Sequence, residues 1–399
     1  MKLAAGRVVV ATAAVDGLTA GLSFKWVTHE VIRHTRRGTL YNDRPSRFST
    51  NKGLYWNGCN NDSNTLRSSD MKSLTLPVLR LLNDGEFHSG VAIAHALGVS
   101  RASVSLSLQG VEELGLVVNK VHGRGYRLQE RLQWLNRELI LTHLGQEASA
   151  FRLEILDTVE STNSLLLQRS SIKKISGDRS ISVLATELQT GGRGRRGREW
   201  HSGLGDGLTF SLVWRFQQGA NLLSGLSLAV GVAIARVLRS SGFEDAALKW
   251  PNDVLIDGRK LAGTLIELQG DMLGPTVAVI GIGINLKMSD TVKDRIDQSA
   301  TDLYSINGET PDRNRLMAAL LLELARVLRD FECHGFAPFR QEWVRYHALE
   351  NQSVQLQMPD GSFQEGLVRG VGQDGSLILN TPGGDRSYNG GEISLRKVA

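Results

Sequence analysis

Glycine and arginine alternate through the stretch Gln189–Trp200, where few positions suit a hydrophobic core. Glycine allows positive φ and lets the backbone approach a ligand closely. Arginine adds a permanent charge and a donor fork suited to carboxylate or phosphate. The stretch therefore predicts a mobile loop that folds over an anionic ligand. A basic surface loop, or a segment that binds nucleic acid, is the alternative interpretation.

Three other stretches have residue types that could act beside this loop. Lys249–Asp253 places a cation, an indole and two possible metal ligands at the end of a strand. Arg259–Gly263 adds Lys260 beside a glycine, and Gly281–Asn285 offers a backbone that can press against a flat ligand. Each stretch alone is also explained by a surface lysine, a hairpin glycine or a turn at a strand end.

The composition limits the class of protein. The 399 residues are enough for two or three domains, and 41% hydrophobic with 22% charged residues is typical of soluble globular proteins. A net charge of +5 permits nucleic-acid binding without requiring it. Cys59 and Cys333 are too few for a disulfide framework or a thiolate metal site. With no apolar run of membrane-spanning length and no clear signal peptide, we expect a cytoplasmic protein that makes no membrane contact.

Residues 1–70 differ from the rest of the chain, because no helical or strand period persists beyond Val8–Leu22. A strongly patterned segment begins at Met71. We therefore expect residues 1–70 to be disordered, or translation to start at Met71. A regulatory arm is the alternative.

The segment that follows Met71 has the pattern of a winged helix-turn-helix. Leu74–Leu82 predicts a first helix, and Ser89 caps a second that ends at Gly98. Ser100 caps a third helix, which runs over Arg101–Leu114. Residues 116–128 read as a β-hairpin, the wing. The alternative is a small helical module that contacts proteins instead of DNA.

The side chains expected at a DNA groove are short and polar or cationic. They lie at the start and along one side of the third helix, with one more in the wing: Ser100, Arg101, Ser103, Ser105, Ser107, Gln109 and Arg124.

Strands and helices alternate after a helical connector at Arg131–Leu144, which predicts an α+β fold with a central mixed sheet and flanking helices. A long helix is expected at Arg313–Glu332, with Asp312 or one of its neighbours as the cap. Short strands between glycine-rich turns from Asn351 onward predict a small SH3-like β-barrel. The domain boundaries predicted are 71–135, 136–347 and 348–399.

Residues 71–399 resemble the bifunctional biotin–protein ligase/biotin-operon repressor family of bacteria. The resemblance rests on five stretches: Glu160–Asn163, Gly192–Trp200, Lys249–Asp253, Arg259–Gly263 and Gly390–Arg396. It implies a core like that of class II synthetases, of the biotin/lipoate ligase type, between the winged helix and the barrel. Residues 1–70 have no counterpart in that family.

The resemblance implies a two-step reaction. Biotin and ATP, with Mg²⁺ carried on the phosphates and no protein-only metal site, give biotinyl-5′-adenylate and pyrophosphate. The biotinyl group then passes to a lysine of the biotin carboxyl carrier protein of acetyl-CoA carboxylase. The adenylate also acts as corepressor, so that a homodimer binds the biotin operator DNA.

Roles for individual residues also follow from the resemblance. Lys260, Arg193 and Arg195 are the expected catalytic cations. Lys249, Asn252 and Asp253 are candidate contacts to ATP or Mg²⁺, although Asp253 could instead serve the turn. The biotin and adenylate site is expected to include these cations together with Ser161, Thr162, Asn163, Gln189, Gly192, Gly194, Gly263, Gly281, Gly283 and Asn285.

Three other functions stay open from the sequence. A lipoate or octanoyl ligase shares the core fold, but its family lacks the glycine/arginine run as it stands here. A transcription regulator could sense biotin without ligating it. A ligase could also have lost DNA binding, since Ser105 and Ser107 stand where more basic residues would strengthen the case for DNA.

Overall fold

The computed structural model describes residues 73–172, 180–358, 360–389 and 394–397. The expectations for residues 1–70 and for the start at Met71 lie outside this part of the chain, as do residues 390–393 of the end motif. Within the described residues, no helix has both the length and the apolar character needed to cross a membrane.

The first described elements are three short helices and a hairpin, which we call the N-terminal module. Ser89 and Ser100 are the N-caps of the second and third helices, as predicted, because each side chain accepts a backbone N–H three residues on. Gly98 ends the second helix with φ 66°. The elements are α1 (Thr75–Leu81), α2 (Gly90–Leu97), α3 (Arg101–Ser107), β1 (Val118–Val121) and β2 (Gly125–Leu128).

The third helix is shorter than its periodicity predicted. It ends at Ser107, and Val111–Leu114 forms a separate 3₁₀ turn, because Gly110 takes a left-handed conformation at φ 83°. The prediction that Ser107 is exposed was wrong, since the residue is 1% exposed. Its carbonyl accepts a hydrogen bond from the Thr75 hydroxyl (2.7 Å), so it ties α3 to α1.

The central part of the chain folds around a seven-stranded sheet. Its strand order is β3-β4-β5-β9-β8-β7-β6, with β3 and β4 parallel and every other pair antiparallel, so the predicted mixed sheet is confirmed. The elements are α4 (Arg137–Leu144), β3 (Phe151–Val159), α5 (Thr162–Ile172), β4 (Ile181–Gln189), β5 (Gly207–Phe216), α6 (Leu226–Ser240), β6 (Ala247–Lys249), β7 (Asp253–Ile256), β8 (Arg259–Gly270), β9 (Thr276–Asn285), α7 (Asp290–Lys293), α8 (Leu303–Asn307), α9 (Arg313–His334) and α10 (Arg340–Tyr346).

The connector to this sheet is helical only in its second half. α4 begins after Asn136, whose side chain accepts the Leu139 N–H, so a helix starting at Arg131 was a wrong prediction. The residues before it are held by a buried ion pair between Glu187 and Arg313, in which Glu187 Oε1 also accepts the Leu135 N–H (2.6 Å). Hydrogen bonds to the sheet therefore fix the linker.

The two faces of the sheet have different roles. Phe210 and Leu212 of β5 point into the main core beneath α6 and α9, whose packing is the largest helix–helix contact in this region. Their neighbours Thr209 and Ser211 point to the opposite face, where α5 lies, because side chains alternate along a strand. This alternation places the polar side chains of Thr209 and Ser211 on the face of the sheet that carries α5.

The C-terminal part is a small antiparallel sheet with the order β13-β12-β11-β10-β14. Four of its five strands overlap segments whose pattern predicted strands, whereas Gly384–Tyr388 was missed because four of its five residues are exposed and carry no apolar alternation. The strands are β10 (Ser353–Gln357), β11 (Phe363–Val371), β12 (Leu377–Thr381), β13 (Gly384–Tyr388) and β14 (Ser394–Lys397).

The N-terminal module packs directly on the sheet. Leu188 at the end of β4 and Leu204 are buried among the leucines of the module. Arg80 donates two hydrogen bonds to the carboxylate of Asp157 on β3 (2.9 and 2.6 Å). The module is therefore attached to the segments that flank the glycine/arginine loop on both sides.

Candidate active site

The glycine/arginine loop folds back on itself between β4 and β5. The Trp200 N–H donates to the Gly192 carbonyl (2.9 Å), and the Gly194 N–H donates to the Arg198 carbonyl (2.7 Å). A Cβ at Gly192 would lie 2.3 Å from the Trp200 carbonyl oxygen. Only glycine fits at position 192, because two backbone segments approach each other closely there. The loop forms a narrow hairpin over the sheet.

Trp200 closes the hairpin by laying its indole on the sheet. A Cβ at Gly283 would lie 2.4 Å from the ring, and one at Gly263 would lie 3.4 Å from it. Lys260 Nζ is 5.8 Å from the ring centroid, within reach of a cation–π interaction. The flat group that presses on the β9 backbone is therefore an indole of this chain. Sequence reasoning did not select Trp200, although its position at the end of the glycine/arginine run was a usable signal.

One wall of the site is built where β3 leads into α5. The Gln189 side-chain oxygen accepts the Thr162 N–H (2.8 Å), and the Thr162 hydroxyl lies 2.7 Å from that of Ser211. Thr162 is 2% exposed and Ser211 is fully buried. The hydroxyl of Ser161, also buried, faces the N-terminus of α5 (3.4 Å from the Ser164 nitrogen).

Asn163 connects this wall to the loop. Its side-chain amide donates to the Glu267 carboxylate (2.9 Å), and its oxygen accepts the Ser211 hydroxyl (2.6 Å). The same Glu267 oxygen accepts Arg193 Nη2 (2.7 Å). A Cβ at Gly281 would lie 2.4 Å from the Asn163 oxygen, so that position must stay without a side chain. Ser211 and Glu267 were not predicted as site residues; the polar residues of β5 among apolar neighbours were the available signal for Ser211.

The opposite end of the site is cationic. Lys260 Nζ lies 2.8 Å from the Asp253 carboxylate. Arg195 Nη1 donates to the Asn252 side-chain oxygen (3.2 Å). Burial lowers the pKa of the Arg195 guanidinium below its ordinary value, while the nearby Asp253 charge acts in the opposite direction. The pairing with Lys260 gives Asp253 a defined role in holding a cation.

A single cavity brings together most of the residues predicted for the site. Those that line it are Ser161, Thr162, Asn163, Gln189, Arg193, Gly194, Arg195, Lys249, Asn252, Asp253, Lys260, Gly263, Gly281 and Gly283. Trp200, Thr209, Trp250, Thr264 and Gln298 also line it and were not predicted. Gly192 instead lines an adjoining groove on the outer side of the loop.

Asn285 is the one predicted binding residue that the structure places away from both the cavity and this groove. It is 7% exposed, and its side-chain amide donates to the Thr301 carbonyl (3.0 Å). It therefore fastens the end of β9 to the following segment. Within Gly281–Asn285, the two glycines line the cavity, whereas Asn285 has a structural role.

The cavity has the chemistry of a site for a ligand with a neutral polar head and an anionic end. Amides and hydroxyls form one wall, and Arg195, Lys249 and Lys260 lie at the other end. Fixed cations of this kind stabilise negative charge as it develops on reacting oxygens. Among the described residues, no three or more His, Cys, Asp or Glu side chains lie together as metal ligands would.

The residues predicted to bind DNA occupy the N-terminal module. Arg101 and Gln109 are exposed, whereas Ser103 and Ser105 are partly buried. The Ser100 hydroxyl accepts the Ser103 N–H and so belongs to the cap of α3. Arg124 of the hairpin turn stacks on Phe87, with its guanidinium carbon 4.2 Å from the ring centroid.

Comparison with known proteins gives matches along most of the chain. Residues 156–285 match the biotin/lipoate A/B protein ligase family, and residues 351–396 match the biotin protein ligase C terminal domain. The chain is 40% identical over 330 residues to the bifunctional ligase/repressor BirA of Escherichia coli strain K12, which covers 82% of this chain and 99% of that protein. It is 33% identical over 244 residues to the biotin–[acetyl-CoA-carboxylase] ligase of Paracoccus denitrificans, which covers 60% of this chain and 98% of that protein.

A solved structure also matches. The biotin protein ligase from Aquifex aeolicus in complex with biotin and ATP superposes with a TM-score of 0.52 and 29% sequence identity. The match covers 62% of this chain and 99% of that one.

Proposed function

Because the chain belongs to the bacterial family of bifunctional biotin–protein ligases and repressors and is a biotin–[acetyl-CoA-carboxylase] ligase, we propose that it makes biotinyl-5′-adenylate and transfers the biotinyl group to a lysine of a biotin carboxyl carrier protein. The observation that carries the proposal is the cavity that joins an amide and hydroxyl wall to a cationic end. That arrangement matches the two ends of the substrate.

Biotin carries a cyclic urea at one end and a carboxylate at the other. A urea offers two N–H donors and one carbonyl acceptor, which suits a wall of hydroxyl and amide groups. We place the urea against Ser161, Thr162 and Gln189. The valeryl chain then leads its carboxylate toward Lys260 and Arg195.

In the first step a biotin carboxylate oxygen attacks the α-phosphorus of ATP, and pyrophosphate leaves. Two anions must approach each other, so their repulsion has to be offset by positioned cations. We assign this role to Lys260, Arg195 and Lys249. Magnesium would travel with the nucleotide phosphates and neutralise them, and Asn252 and Asp253 are our candidates for contacts to that complex.

In the second step the amine of the carrier lysine attacks the carbonyl of the mixed anhydride, and AMP leaves. The adenylate reacts with water if it is exposed. We assign Trp200 and the loop Gly192–Arg198 to covering it. Arg193 is held by Glu267 on the sheet, which supports a loop that closes by docking onto fixed groups.

A ligation assay tests the proposal. The full chain is incubated with biotin, ATP, Mg²⁺ and a biotin carboxyl carrier domain, and intact-mass analysis should show one covalent biotinyl group per carrier. The matched control is a carrier with its acceptor lysine changed to arginine. Lipoate and octanoate are offered in parallel reactions. Transfer of either in preference to biotin, or biotin binding without any covalent product, would contradict the assignment.

We further propose that the adenylate-bound protein represses transcription by binding the biotin operator as a homodimer. The N-terminal module, proposed to span 71–135 as a winged helix-turn-helix, presents exposed Arg101 and Gln109 on and just after α3. The proposed boundaries of the other domains are 136–347 for the ligase core and 348–399 for an SH3-like domain. Arg101→Ala should weaken operator binding in a mobility-shift assay, whereas Arg345→Ala, an exposed arginine on α10, should leave it unchanged.

The surface proposed for the second protomer is apolar. It lies at the tip of the β8–β9 hairpin and the adjoining loop, which are joined by the hydrogen bond from the Asn221 N–H to the Met272 carbonyl. Its exposed side chains are Leu222, Leu268, Met272 and Leu273. Leu268 also lines a cleft that reaches Arg195, so this surface adjoins the cationic end of the site. Leucine and methionine exposed together favour a protein interface.

A further inference from the structure

A single carboxylate links the loop to the wall of the cavity. Glu267 lies on β8, and its side chain is 25% exposed. Its Oε2 accepts hydrogen bonds from Arg193 on the loop (2.7 Å) and from Asn163 on α5 (2.9 Å). Since an ionised carboxylate only accepts hydrogen bonds, both partners must point N–H groups at it.

This acceptor fixes the orientation of the Asn163 amide. The Asn163 nitrogen donates one hydrogen to Glu267 and the other to the Leu265 carbonyl (3.1 Å). The Asn163 oxygen must therefore face Ser211, whose hydroxyl donates to it (2.6 Å). A rotated amide would place the Asn163 oxygen against both the Leu265 carbonyl and the Glu267 carboxylate, which would lose both hydrogen bonds and set acceptor against acceptor.

The direction of donation then passes to Thr162. The Ser211 hydrogen is used on Asn163. The single hydrogen of the Thr162 hydroxyl therefore faces Ser211 (2.7 Å) or the Gln189 side-chain oxygen (3.0 Å), and it is used within the wall in either case. The Gln189 oxygen receives the Thr162 backbone N–H (2.8 Å). Both hydroxyl hydrogens are thus consumed within the wall. Ser211 is fully buried and does not line the cavity, whereas Thr162 does, so the Thr162 hydroxyl offers a ligand only lone pairs, which accept N–H groups.

We infer that Glu267 is a positioning residue for biotin: it sets the donor and acceptor pattern of the cavity wall through Asn163 and latches the loop through Arg193. The inference rests on the proposed function, because the N–H groups in question are those of the urea ring. Arg193 accordingly acts through Glu267 and holds the loop closed.

The test compares Glu267→Gln with Glu154→Gln in the full chain. Glutamine has nearly the shape of glutamate, but it loses the charge and can itself rotate. Glu154 on β3 forms a similar pair with Arg169 on α5 (2.5 Å), outside the cavity, and is the matched control. Biotin affinity is measured by calorimetry without ATP, and KM and kcat are measured in the ligation assay.

Glu267→Gln should raise the biotin Kd and KM about tenfold. This is the effect expected when the charged acceptor of one charge-assisted hydrogen bond is lost. kcat should stay within about threefold, because the residue does not touch the reacting atoms. Glu154→Gln should match wild type. Glu267→Asp, which keeps the charge, should recover part of the affinity, and it also serves if the glutamine variant fails to fold.

Loop latching has its own readout. Trypsin cleaves after the loop arginines, and none of these is altered in Glu267→Gln, so faster cleavage of the ligand-free variant would report an unlatched loop. Arg193→Ala combined with Glu267→Gln should weaken biotin binding no further than Glu267→Gln alone. Strict additivity of the two changes would overturn the latch.

The outcomes separate this inference from the proposed function. An active wild-type enzyme whose Glu267→Gln variant binds biotin normally, with unchanged loop cleavage, would overturn the inference alone. A fall confined to kcat would also overturn it. A wild-type chain that forms no adenylate and no biotinylated carrier would overturn the proposed function.

Discussion

At the scale of single residues, two cations of the site are each paired with a carboxylate. Lys260 is paired with Asp253, and Arg193 is paired with Glu267. Partners of this kind hold each cation in one place before substrate arrives, which reduces the reorganisation needed during the reaction. They also mean that a charge reversal or truncation at one member leaves the other without its partner.

Lys260→Ala should slow adenylate formation much more than it weakens the fold. The lysine lines the cationic end of the cavity, where the proposed first step would build negative charge as the carboxylate attacks phosphorus. Loss of one such electrostatic contact typically raises the barrier by about 2.7–4 kcal/mol. Pyrophosphate exchange measures the step. Lys287→Ala, whose partner Glu130 is exposed, is the control. Exchange within about threefold of wild type for Lys260→Ala would remove the lysine from the mechanism.

The buried carboxyl of Asp206 should make the stability of the protein depend on pH. Burial raises the pKa of its carboxyl from 3.8 to about 6, against the opposing effect of hydrogen bonds from Ser289. The folded protein thus binds this proton more tightly than the unfolded chain does. Stability from this group is present below pH 3.8 and is lost as pH rises through about 6.

Asp206→Asn removes that charge and should raise the free energy of unfolding at pH 7.5 by on the order of 2 kcal/mol. At pH 4, where the folded carboxyl is protonated, the variant and wild type should differ little. Urea unfolding at the two pH values measures both. An equal difference at pH 4 and pH 7.5 would show that the carboxyl does not titrate as inferred.

At the scale of elements, β8 and β9 form a slot for the indole of Trp200. The slot exists because Gly263 and Gly283 lie side by side in the register of the two strands. Gly283→Ala would put a Cβ 2.4 Å from the ring, so the indole must leave its position. Biotin affinity and adenylation should both fall by at least about tenfold, since the covering group is displaced.

The matched control for that change is Gly231→Ala in the middle of α6. There a Cβ would meet only Leu248, at 3.4 Å, and alanine favours a helix over glycine. It should leave activity unchanged. If Gly283→Ala retained wild-type affinity and adenylation rate, Trp200 would have no role at the site.

At the scale of elements, features that depend only on neighbouring residues could be predicted from the sequence. Ser89 and Ser100 were predicted as caps, and Asp312 as a candidate cap, because a short polar side chain before an apolar helical period satisfies the first N–H groups. The end of α3 was not predictable in the same way, because the apolar period continues to Leu114 although Gly110 breaks the helix. The spacing of apolar residues does not reveal that one residue, Gly110, takes a left-handed conformation.

The site was predictable in its residue types but not in its pairings. The residue types of the glycine/arginine loop and of Lys260 are enough to predict an anionic ligand. Glu267, by contrast, meets Arg193 and Asn163 only because β8 lies in the sheet beside β9 and beneath the loop. Contacts that join residues about 75 to 100 positions apart follow from strand order, which the sequence pattern did not give.

At the scale of the whole molecule, the loop is continuous with the contact between the N-terminal module and the sheet. The Leu204 N–H donates to the Leu114 carbonyl (3.1 Å), and Leu204 is fully buried in the module core. Only three residues separate it from Trp200. A short, anchored segment therefore connects Trp200 to the module that we propose binds DNA.

Ordering of the loop Gly192–Arg198 should couple adenylate binding to dimerisation. A glycine-rich loop loses much entropy when it is fixed, and contacts of the adenylate with Arg195 can supply the free energy for this. The fixed loop would then border the apolar surface of Leu222, Leu268, Met272 and Leu273. Two protomers joined there would present two modules to a two-fold operator. Unbiotinylated carrier would compete for the same face and keep the protein monomeric.

Sedimentation with and without biotinyl-5′-adenylate, alongside operator binding, measures this coupling. The adenylate should favour the dimer, and dimerisation should tighten adenylate binding by the same factor, since linkage is reciprocal. Leu273→Asp places a charge on the proposed interface, where the leucine is 87% exposed, and should weaken dimerisation while leaving adenylate synthesis intact. Gly192→Ser and Arg195→Ala should instead reduce the effect of adenylate on the dimer. If both loop variants kept adenylate-dependent dimerisation and operator affinity at wild-type values, the loop would not be the coupling element.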